Sequence, residues 1–327
     1  MTRALIIGCG QIAGGFNESD ETSTLSHVVA LRHAGADVIG CMDHDPTRAR
    51  RFAERWNIGE HGTVLAAMLE RLAPDLVVDC TPPSVRLSIV SAALVAPSVR
   101  ALLIEKPLAS SAAEAVAMRS RVRSANKPVI VAYQRAFDAC YVAAETMVRQ
   151  GGLGRLVRIT AIAYGGALAN MSHLLERTFA MAGWPREAAL IGAPILEDAN
   201  DPGLSFRASF ADEVEGVFLA VPRAGPAVIE LELIGSEGRL RILDSERRVE
   251  LSRALPSRDG VARLVESVAP TPLPAPDWEA IRHVAKAAIA ASSGAMLDVA
   301  MIERATEAVI LIDSLRHTGV FARKNAA

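Results

Sequence analysis

The chain has 327 residues, of which 50% are hydrophobic, 22% charged and 4% aromatic, and its formal net charge is −2. This length is typical of two domains, and a near-neutral charge with few aromatic residues argues against a nucleic-acid-binding surface. No apolar stretch reaches the roughly 20 residues of a membrane span, and the N-terminus shows no signal-peptide pattern. Four separated cysteines and seven scattered histidines predict neither a disulfide framework nor a metal site. We therefore expect a cytoplasmic protein without nucleic-acid or membrane partners.

Short apolar runs alternate with helical patterns through the first part of the chain. Because the runs are apolar throughout, this alternation predicts a parallel sheet covered on both faces by helices. The predicted strands are Ala4–Ile7, Val38–Met42, Leu76–Cys80, Leu102–Ile104 and Val129–Ala132. The predicted helices are Leu25–Ala34, Pro46–Trp56, Val64–Leu72, Val85–Leu94 and Ala112–Ala125.

The pattern changes after a cluster of glycines at Gly151–Gly154. Stretches with alternating apolar and polar residues follow, which is typical of an antiparallel sheet with one covered face. These stretches are Leu156–Tyr164, Leu204–Phe210, Val214–Val221 and Val228–Ile234, and two closing helices are predicted to begin near Asp277 and Asp298. We therefore predict an α/β protein with domains at residues 1–127 and 128–327, the last helices being candidates to pack back on the first domain.

A glycine turn directly follows the first predicted strand. Gly8-Cys-Gly-Gln-Ile-Ala13 matches the pattern G-x-G-x-x-G/A, whose small residues permit a tight turn and close approach to a pyrophosphate. The next strand ends at Asp43, whose carboxylate suits the two ribose hydroxyls of NAD and disfavours the 2′-phosphate of NADP. Its alternative role is a helix cap before Pro46, which Asp45 could perform instead. The polar insertion 14–24, interpreted as a lid or a plain surface loop, separates the turn from its acid by about 30 residues rather than roughly 20.

Glu105 and Lys106 follow an apolar run. Pro107 cannot continue a strand ladder, so the two charged residues are predicted at the carboxyl end of a strand, where open α/β sheets bind ligands. Thr81-Pro82 end the preceding strand in the same manner. The alternative is a charged pair on a solvated loop.

Together these residues resemble the glucose–fructose oxidoreductase, inositol dehydrogenase and rhizopine catabolism (Gfo/Idh/MocA) family. The glycine turn, Asp43, Thr81-Pro82, Glu105-Lys-Pro107 and Gln134–Phe137 occur in the family's order and rough spacing. The resemblance covers nearly the whole chain, since Asn170-Met-Ser-His173 stands where the family carries its second catalytic element. It implies an N-terminal Rossmann domain with a doubly wound parallel sheet. It also implies a C-terminal α/β domain whose large open, mostly antiparallel sheet forms a homodimer or homotetramer.

The resemblance further implies NAD-dependent hydride transfer at a hydroxyl or keto carbon of a sugar, cyclitol or nucleotide-sugar. Lys106 would bind the reacting hydroxyl and help move its proton, His173 would be its acid/base partner, and Asn170 would contact the substrate. A lysine and a histidine suit this chemistry, because hydride leaves carbon only when the hydroxyl proton is taken up. Arg135 would lie near the substrate. The implied cofactor-binding residues are Gly8, Gly10, Gln11, Ile12, Asp43, Thr81, Pro82, Glu105, Lys106 and Gln134.

Several positions depart from the family pattern. Ala169 stands where an aspartate often precedes the histidine, Arg86 where a histidine is common, and Ala136 where a second arginine is frequent. Glu176 could partly substitute for the missing acid, and Arg86 and Arg135 could serve an anionic substrate. Two alternatives follow: a non-catalytic cofactor-binding regulator or scaffold, or an enzyme of the same class with another substrate or with NADP.

Overall fold

A computed structural model describes residues 1–20, 22–243, 248–255, 261, 263–266, 273–275, 277, 279–295 and 300–323. The chain divides into two compact units, here named the first and second units. The first comprises Met1–Gln134 with Glu279–Thr306, and the second comprises Arg135–Trp278 with Glu307–Ala327.

The described residues form strands and helices throughout both units. The strands are β1 Arg3–Ile7, β2 Asp37–Met42, β3 His61–Gly62, β4 Leu76–Asp79, β5 Ala101–Ile104, β6 Val129–Val131, β7 Leu156–Tyr164, β8 Glu187–Leu190, β9 Phe206–Ser209, β10 Glu215–Val221, β11 Ile229–Gly235, β12 Gly238–Leu243, β13 Arg248–Leu255, β14 Arg263–Glu266 and β15 Val320–Ala322. The helices are α1 His27–His33, α2 Pro46–Arg55, α3 Leu65–Leu72, α4 Pro83–Val95, α5 Ala112–Ala125, α6 Ala139–Arg149, α7 Ser172–Ala182, α8 Ile281–Ser292 and α9 Ala300–Thr318.

The sheet of the first unit is parallel, in the order β3-β2-β1-β4-β5-β6. Every residue of β4 and β5 is buried. Because successive side chains of a strand point to opposite faces, such strands require cover on both faces. The predicted doubly wound sheet is confirmed, and its strand order is the one typical of dinucleotide-binding folds.

The register of this sheet aligns the carboxyl ends of its central strands. Ile7 of β1 pairs with Met42 of β2 and with Asp79 of β4, and Asp79 pairs with Ile104 of β5. The residues that come next in the chain therefore emerge side by side along one edge of the sheet. They are Gly8, Asp43, Cys80 and Glu105.

The second unit holds a mixed sheet in the order β14-β13-β12-β11-β7-β10-β9-β8-β15. Strands β7 and β10 pair in parallel, and the other paired neighbours are antiparallel. Buried and half-buried residues alternate along β11, which gives the sheet one covered face, and α7 packs against β7. The large, mostly antiparallel sheet expected for the second half is confirmed.

The start of the first closing helix differs from the prediction. Helix α8 begins at Ile281 with Ala280 as its N-cap, rather than at Asp277. Asp277 is held elsewhere, because its backbone N–H donates to Asp138 Oδ2 at 2.6 Å. The predicted start of the second helix, Asp298, lies outside the described residues, and α9 is described from Ala300. Among the described residues, no helix combines the length and apolarity that crossing a bilayer requires.

Candidate active site

A cavity of about 520 Å³ opens at the aligned strand ends of the first unit. It gathers most of the cofactor-binding residues expected from the sequence. They are Gly8, Gly10, Ile12, Asp43, Thr81, Pro82, Glu105 and Lys106. Gln11 is exposed on the glycine turn, and Gln134 begins the short 3-10 helix Gln134–Ala136; neither belongs to the cavity lining.

The glycine turn has the shape that a pyrophosphate needs. Gly8 has a φ of +86°, and a Cβ there would lie 3.0 Å from the carbonyl carbon of Cys80, so a larger residue would be strained and crowded. A Cβ on Gly10 would meet no atom within 4 Å, which leaves open space beside this backbone. The turn that follows, closed by the Gly14 N–H to the Gly10 carbonyl at 3.2 Å, starts a helix whose first N–H groups suit an anion. These residues fit a dinucleotide.

Asp43 is buried beside this turn and ties it to the second strand. Its Oδ2 accepts from the Cys9 N–H at 2.9 Å, and its Oδ1 accepts from the Asp45 N–H at 3.0 Å. Asp45 caps α2, accepting from the Thr47 N–H at 2.8 Å, so the helix-cap alternative for Asp43 is wrong. Arg48 also lines the cavity, with Nη1 3.6 Å from Asp43 Oδ2. The carboxylate thus lies at the cavity wall with a cation beside it.

The inserted stretch interrupts a helix without breaking its hydrogen bonds. The His27 N–H donates to the Ile12 carbonyl and the Val28 N–H to the Ala13 carbonyl, both at 2.9 Å, so α1 continues the turn that follows Gly10. The excursion closes on Asn17, which is fully buried and donates to the Asp20 and Ser23 carbonyls at 2.6 and 2.8 Å. This internal bonding favours a plain surface insertion over a lid.

Glu105 is a buried anchor next to Lys106. Its Oε1 lies 2.8 Å from His27 Nε2, and its Oε2 accepts from the backbone N–H of Lys106 at 3.0 Å. Burial raises the pKa of Glu105, but the His27 bond and the Lys106 and Arg86 charges outweigh it and bring the pKa below its usual value. The Lys106–Pro107 peptide bond is cis, and Lys106 is half-buried at the cavity. Glu105 is therefore held as a carboxylate whose oxygens are bonded to protein groups.

Arg86 does not serve as a substrate-binding cation. The side chain is 1% exposed, and its Nε lies 3.4 Å from Oδ2 of Asp79, which is buried. Its guanidinium also donates to the backbone carbonyls of Thr81 and Pro107. The earlier expectation that Arg86 could bind an anionic substrate is wrong, because its guanidinium is committed to these groups. Arg86 instead links the loops that follow β4 and β5.

The thiols near the cavity are not suited to be nucleophiles. A hydrogen bond with Cys41, together with burial, raises the pKa of Cys9, and burial raises the pKa of Cys80. A thiol must ionise to react, so both stay in the inert protonated form at neutral pH. Among the described residues, no group of three or more His, Cys, Asp or Glu side chains is placed to hold a metal ion.

Asn170 and His173 belong to the second unit, around the start of α7. A π-helical turn, Ala167–Met171, leads into this helix. Asn170 Nδ2 donates to the Tyr164 carbonyl at 2.7 Å, and His173 is 5% exposed. The structure thus places the two residues expected to work together on consecutive turns of one helical segment.

Sequence reasoning missed Asp201, which caps this segment. Its two carboxylate oxygens accept from the Leu168 and Ala169 N–H groups at 2.7 and 2.9 Å. Burial raises the pKa of Asp201, opposed by these two bonds. A Cβ on Gly166 would lie 2.0 Å from Asp201 Oδ2, so only glycine admits the carboxylate here. The sequence signal was the pair of glycines before the helix, without an indication of the partner.

Glu176 is bonded to a neighbouring cation. Both of its oxygens accept from the Arg177 guanidinium, at 2.6 and 2.8 Å, and Arg177 also donates to Glu145 Oε2 at 3.0 Å. Glu176 and Arg177 are buried. The cluster fixes α7 against α6 by charge pairing, which gives Glu176 a structural task.

A parallel sheet in this order, a glycine turn after the first strand and a buried acid after the second define the first unit as a dinucleotide-binding Rossmann domain. Residues 2–133 match the family described as the oxidoreductase family with an NAD-binding Rossmann fold, Gfo/Idh/MocA. This match covers most of the first unit and agrees with the family resemblance of these residues, and it confirms the NAD cofactor predicted from the sequence. A comparison with curated proteins finds no match.

Solved structures share the fold of both units. An NAD-binding oxidoreductase from Klebsiella pneumoniae is 17% identical, with a TM-score of 0.76 and 99% of each chain covered. A levoglucosan dehydrogenase in complex with NADH and levoglucosan is 17% identical, with a TM-score of 0.73 and 99% of each chain covered. An oxidoreductase from Agrobacterium radiobacter in complex with NAD⁺, L-tartaric acid and magnesium is 16% identical, with a TM-score of 0.71 and 98% of each chain covered. At these identities the likeness shows the fold.

Proposed function

We propose that the protein is an NAD(H)-dependent oxidoreductase acting on a hydroxyl or keto carbon of a sugar, cyclitol or nucleotide-sugar. The observation that carries the proposal is the cavity at the strand ends, where the glycine turn, Asp43 and Lys106 line one space. The family supplies the reaction class, and the complex of the levoglucosan dehydrogenase supports a carbohydrate-like substrate. NAD supplies the hydride acceptor or donor, so the protein has to bind it, orient the substrate and move one proton.

Each of these tasks is assigned to residues whose chemistry suits it. The Gly8–Ala13 turn binds the pyrophosphate, and Asp43 accepts from the ribose hydroxyls, which favours NAD over NADP. Lys106 binds the reacting oxygen, takes part in moving its proton and stabilises the negative charge that develops there. His173 is the acid/base partner and Asn170 a hydrogen-bond partner for a substrate hydroxyl.

The family resemblance suggests roles for two further residues. Gln134 closes the first unit after β6 and is proposed to contact the nicotinamide end of the cofactor. Arg135, the next residue, is proposed to contact the substrate.

The proposed reaction is tested with purified protein, NAD, NADP and a panel of polyols, sugars and nucleotide-sugars, following NADH absorbance. Lys106→Ala is expected to retain NAD binding and to lose turnover. The matched control is Lys286→Ala, because Lys286 is exposed on α8 and is expected to leave both quantities unchanged. NAD binding without turnover on any panel member, in the wild type, would instead favour the regulator or scaffold.

We also propose a cytoplasmic homo-oligomer, a dimer or tetramer, formed through the open face of the nine-stranded sheet. Free Cys9, Cys41, Cys80 and Cys140 suit a reducing compartment. On β10 the side chain of Val217 remains 37% exposed on that sheet. Sedimentation of the wild type and of Val217→Arg tests the proposal, which predicts dissociation of the variant into monomers; two identical monomeric profiles would contradict it.

A further inference from the structure

The turn that carries Lys106 is attached to α1 by a buried histidine–glutamate pair. The side chain of His27 is completely buried, and that of Glu105 is 7% exposed. An ionised carboxylate only accepts hydrogen bonds, so the proton of this 2.8 Å contact lies on His27 Nε2. His27 Nδ1 has no hydrogen-bond partner among the described residues, so the bond to Glu105 is the directional contact that orients the ring.

The same carboxylate continues to the backbone of Lys106. With Oε1 held by His27, Glu105 presents Oε2 to the Lys106 N–H at 3.0 Å. A carboxylate bound at both oxygens has a fixed rotamer, and the peptide group that follows it is fixed with it. The backbone position from which the Lys106 side chain extends therefore depends on His27.

We propose that His27 is a positioning residue for Lys106, acting through Glu105. The inference rests on the proposed function, because the pair has a catalytic purpose only if Lys106 takes part in the reaction. A buried polar pair is poorly explained by stability alone, since apolar side chains of similar volume would fill the same space without desolvating a carboxylate. Reaction rates, in contrast, are sensitive to the placement of a group at the reacting atoms.

The position of His27 in the chain agrees with this role. It follows the insertion directly and resumes the helix that begins at the glycine turn, through its N–H to the Ile12 carbonyl. One short helix thus connects the phosphate-binding turn with the turn that carries Lys106. NAD binding and the position of Lys106 are thereby fixed by the same element.

The test uses the four lysines of the chain as probes: Lys106, Lys127, Lys286 and Lys324. Full-length protein labelled with [ε-¹³C]lysine gives few signals, and Lys106→Arg assigns the one of interest. The variants are His27→Leu, which removes the donor, and His27→Gln, whose amide can still donate to Glu105. The matched control is His33→Gln, on the same helix but bonded to Thr24 Oγ1 at 3.2 Å.

In His27→Leu we expect the Lys106 signal and its pH titration to be displaced while the other lysine signals stay unchanged. His27→Gln should restore the wild-type signal, and His33→Gln should leave it unmoved. With a substrate found in the panel, kcat of His27→Leu should fall by about 10- to 100-fold, with the Kd for NAD changing less than about twofold. The conservative variant should recover kcat.

A wild-type Lys106 signal and titration in folded His27→Leu would overturn the inference. If that variant does not fold, His27→Phe, whose ring fills the same space without a donor, replaces it: a displaced Lys106 signal supports the role, and an unchanged one overturns it. The spectra do not depend on turnover, so they decide the positioning role even if the panel yields no substrate and the proposed function fails.

Discussion

Replacing Arg86 by leucine should measure how much the buried Arg86–Asp79 ion pair contributes to the stability of the protein. The substitution removes the cation 3.4 Å from Asp79 Oδ2 and the donors to the Thr81 and Pro107 carbonyls. Asp79 has no exposed surface, so water cannot replace the guanidinium. Breaking a buried pair in this way typically costs about 3–5 kcal/mol, because an uncompensated charge stays behind.

The loss should depend on pH in a defined direction. Burial raises the pKa of Asp79, while Arg86 and Thr81 lower it, so the variant shifts this pKa upward again. An acid whose folded pKa lies above its unfolded value loses stability as pH rises, because the unfolded state releases the proton more readily. The cost of Arg86→Leu should therefore be smallest near about pH 4 and largest above about pH 7.

Urea denaturation of the wild type and of Arg86→Leu at several pH values measures this loss. Adding Asp79→Asn should recover more than half of it at neutral pH, because the neutral amide needs no cation. The control is Arg100→Leu. The side chain of Arg100 is exposed, and its ion pair with Asp75 at 3.6 Å should contribute about 0–1 kcal/mol to stability. A loss that is independent of pH and unaffected by Asp79→Asn would refute the assigned role of the pair.

Three other predictions concern the same edge of the sheet. Gly8→Ala should lower the free energy of unfolding, measured by urea denaturation, by about 1–3 kcal/mol and should weaken NAD binding. The reason is that φ is +86° and the new Cβ would lie 3.0 Å from a backbone carbon. A variant as stable as the wild type would contradict the crowding. Asp43→Ala should weaken NAD binding by about tenfold or more, with a smaller effect on NADP, in a fluorescence titration; unchanged NAD affinity would remove this residue from the site. Because the pKa of Glu105 is lowered overall, its stabilisation is present above its ordinary pKa and is lost as pH falls through the folded value. Glu105→Gln should therefore be less stable than the wild type at pH 7 and lose this difference in acid, which denaturation at both pH values checks.

The sheet edge that carries the candidate site could be predicted because the strands of the first unit are short, apolar and bounded by residues that end strands. The strand predicted at Leu102–Ile104 is observed as Ala101–Ile104, and Pro107 stands beyond its end. Parallel pairing then aligns the strand ends, so an acid after one strand and a lysine after another reach the same cavity. The family resemblance added the reaction class, which strand patterns do not contain.

Several elements of the second unit could not be predicted from the sequence, for a physical reason. Helix α7 was not predicted, because nearly all of its residues are buried, including polar Ser172, Glu176 and Arg177. A helix buried on all sides has no apolar stripe opposite a polar face. Its charged residues are therefore read as exposed, and the helix is not recognised from the sequence. Strands β8 and β15 were missed because they are short, with four and three residues.

His27 shows the limit of local patterns more sharply. Its partner Glu105 is 78 positions away, and the insertion separates it from the turn to which its helix belongs. Only the hydrogen-bond register reveals that Ile12 and Ala13 are the acceptors for His27 and Val28. The sequence shows a histidine at position 27, but no local pattern indicates that it contacts Glu105 next to Lys106.

The insertion also explains the unusual distance between the glycine turn and Asp43. Because α1 resumes where the turn stopped, the insertion 14–24 adds length to the chain without adding length to the helix. Leaving it out brings the separation near the usual value of roughly 20 residues. The departure from the dinucleotide-binding pattern is therefore one of chain length, while the geometry that brings Asp43 to Cys9 is preserved, with a 2.9 Å bond between them. An insertion can be accommodated at this point only if both of its ends meet the same helix, and the closed loop around Asn17 meets that condition.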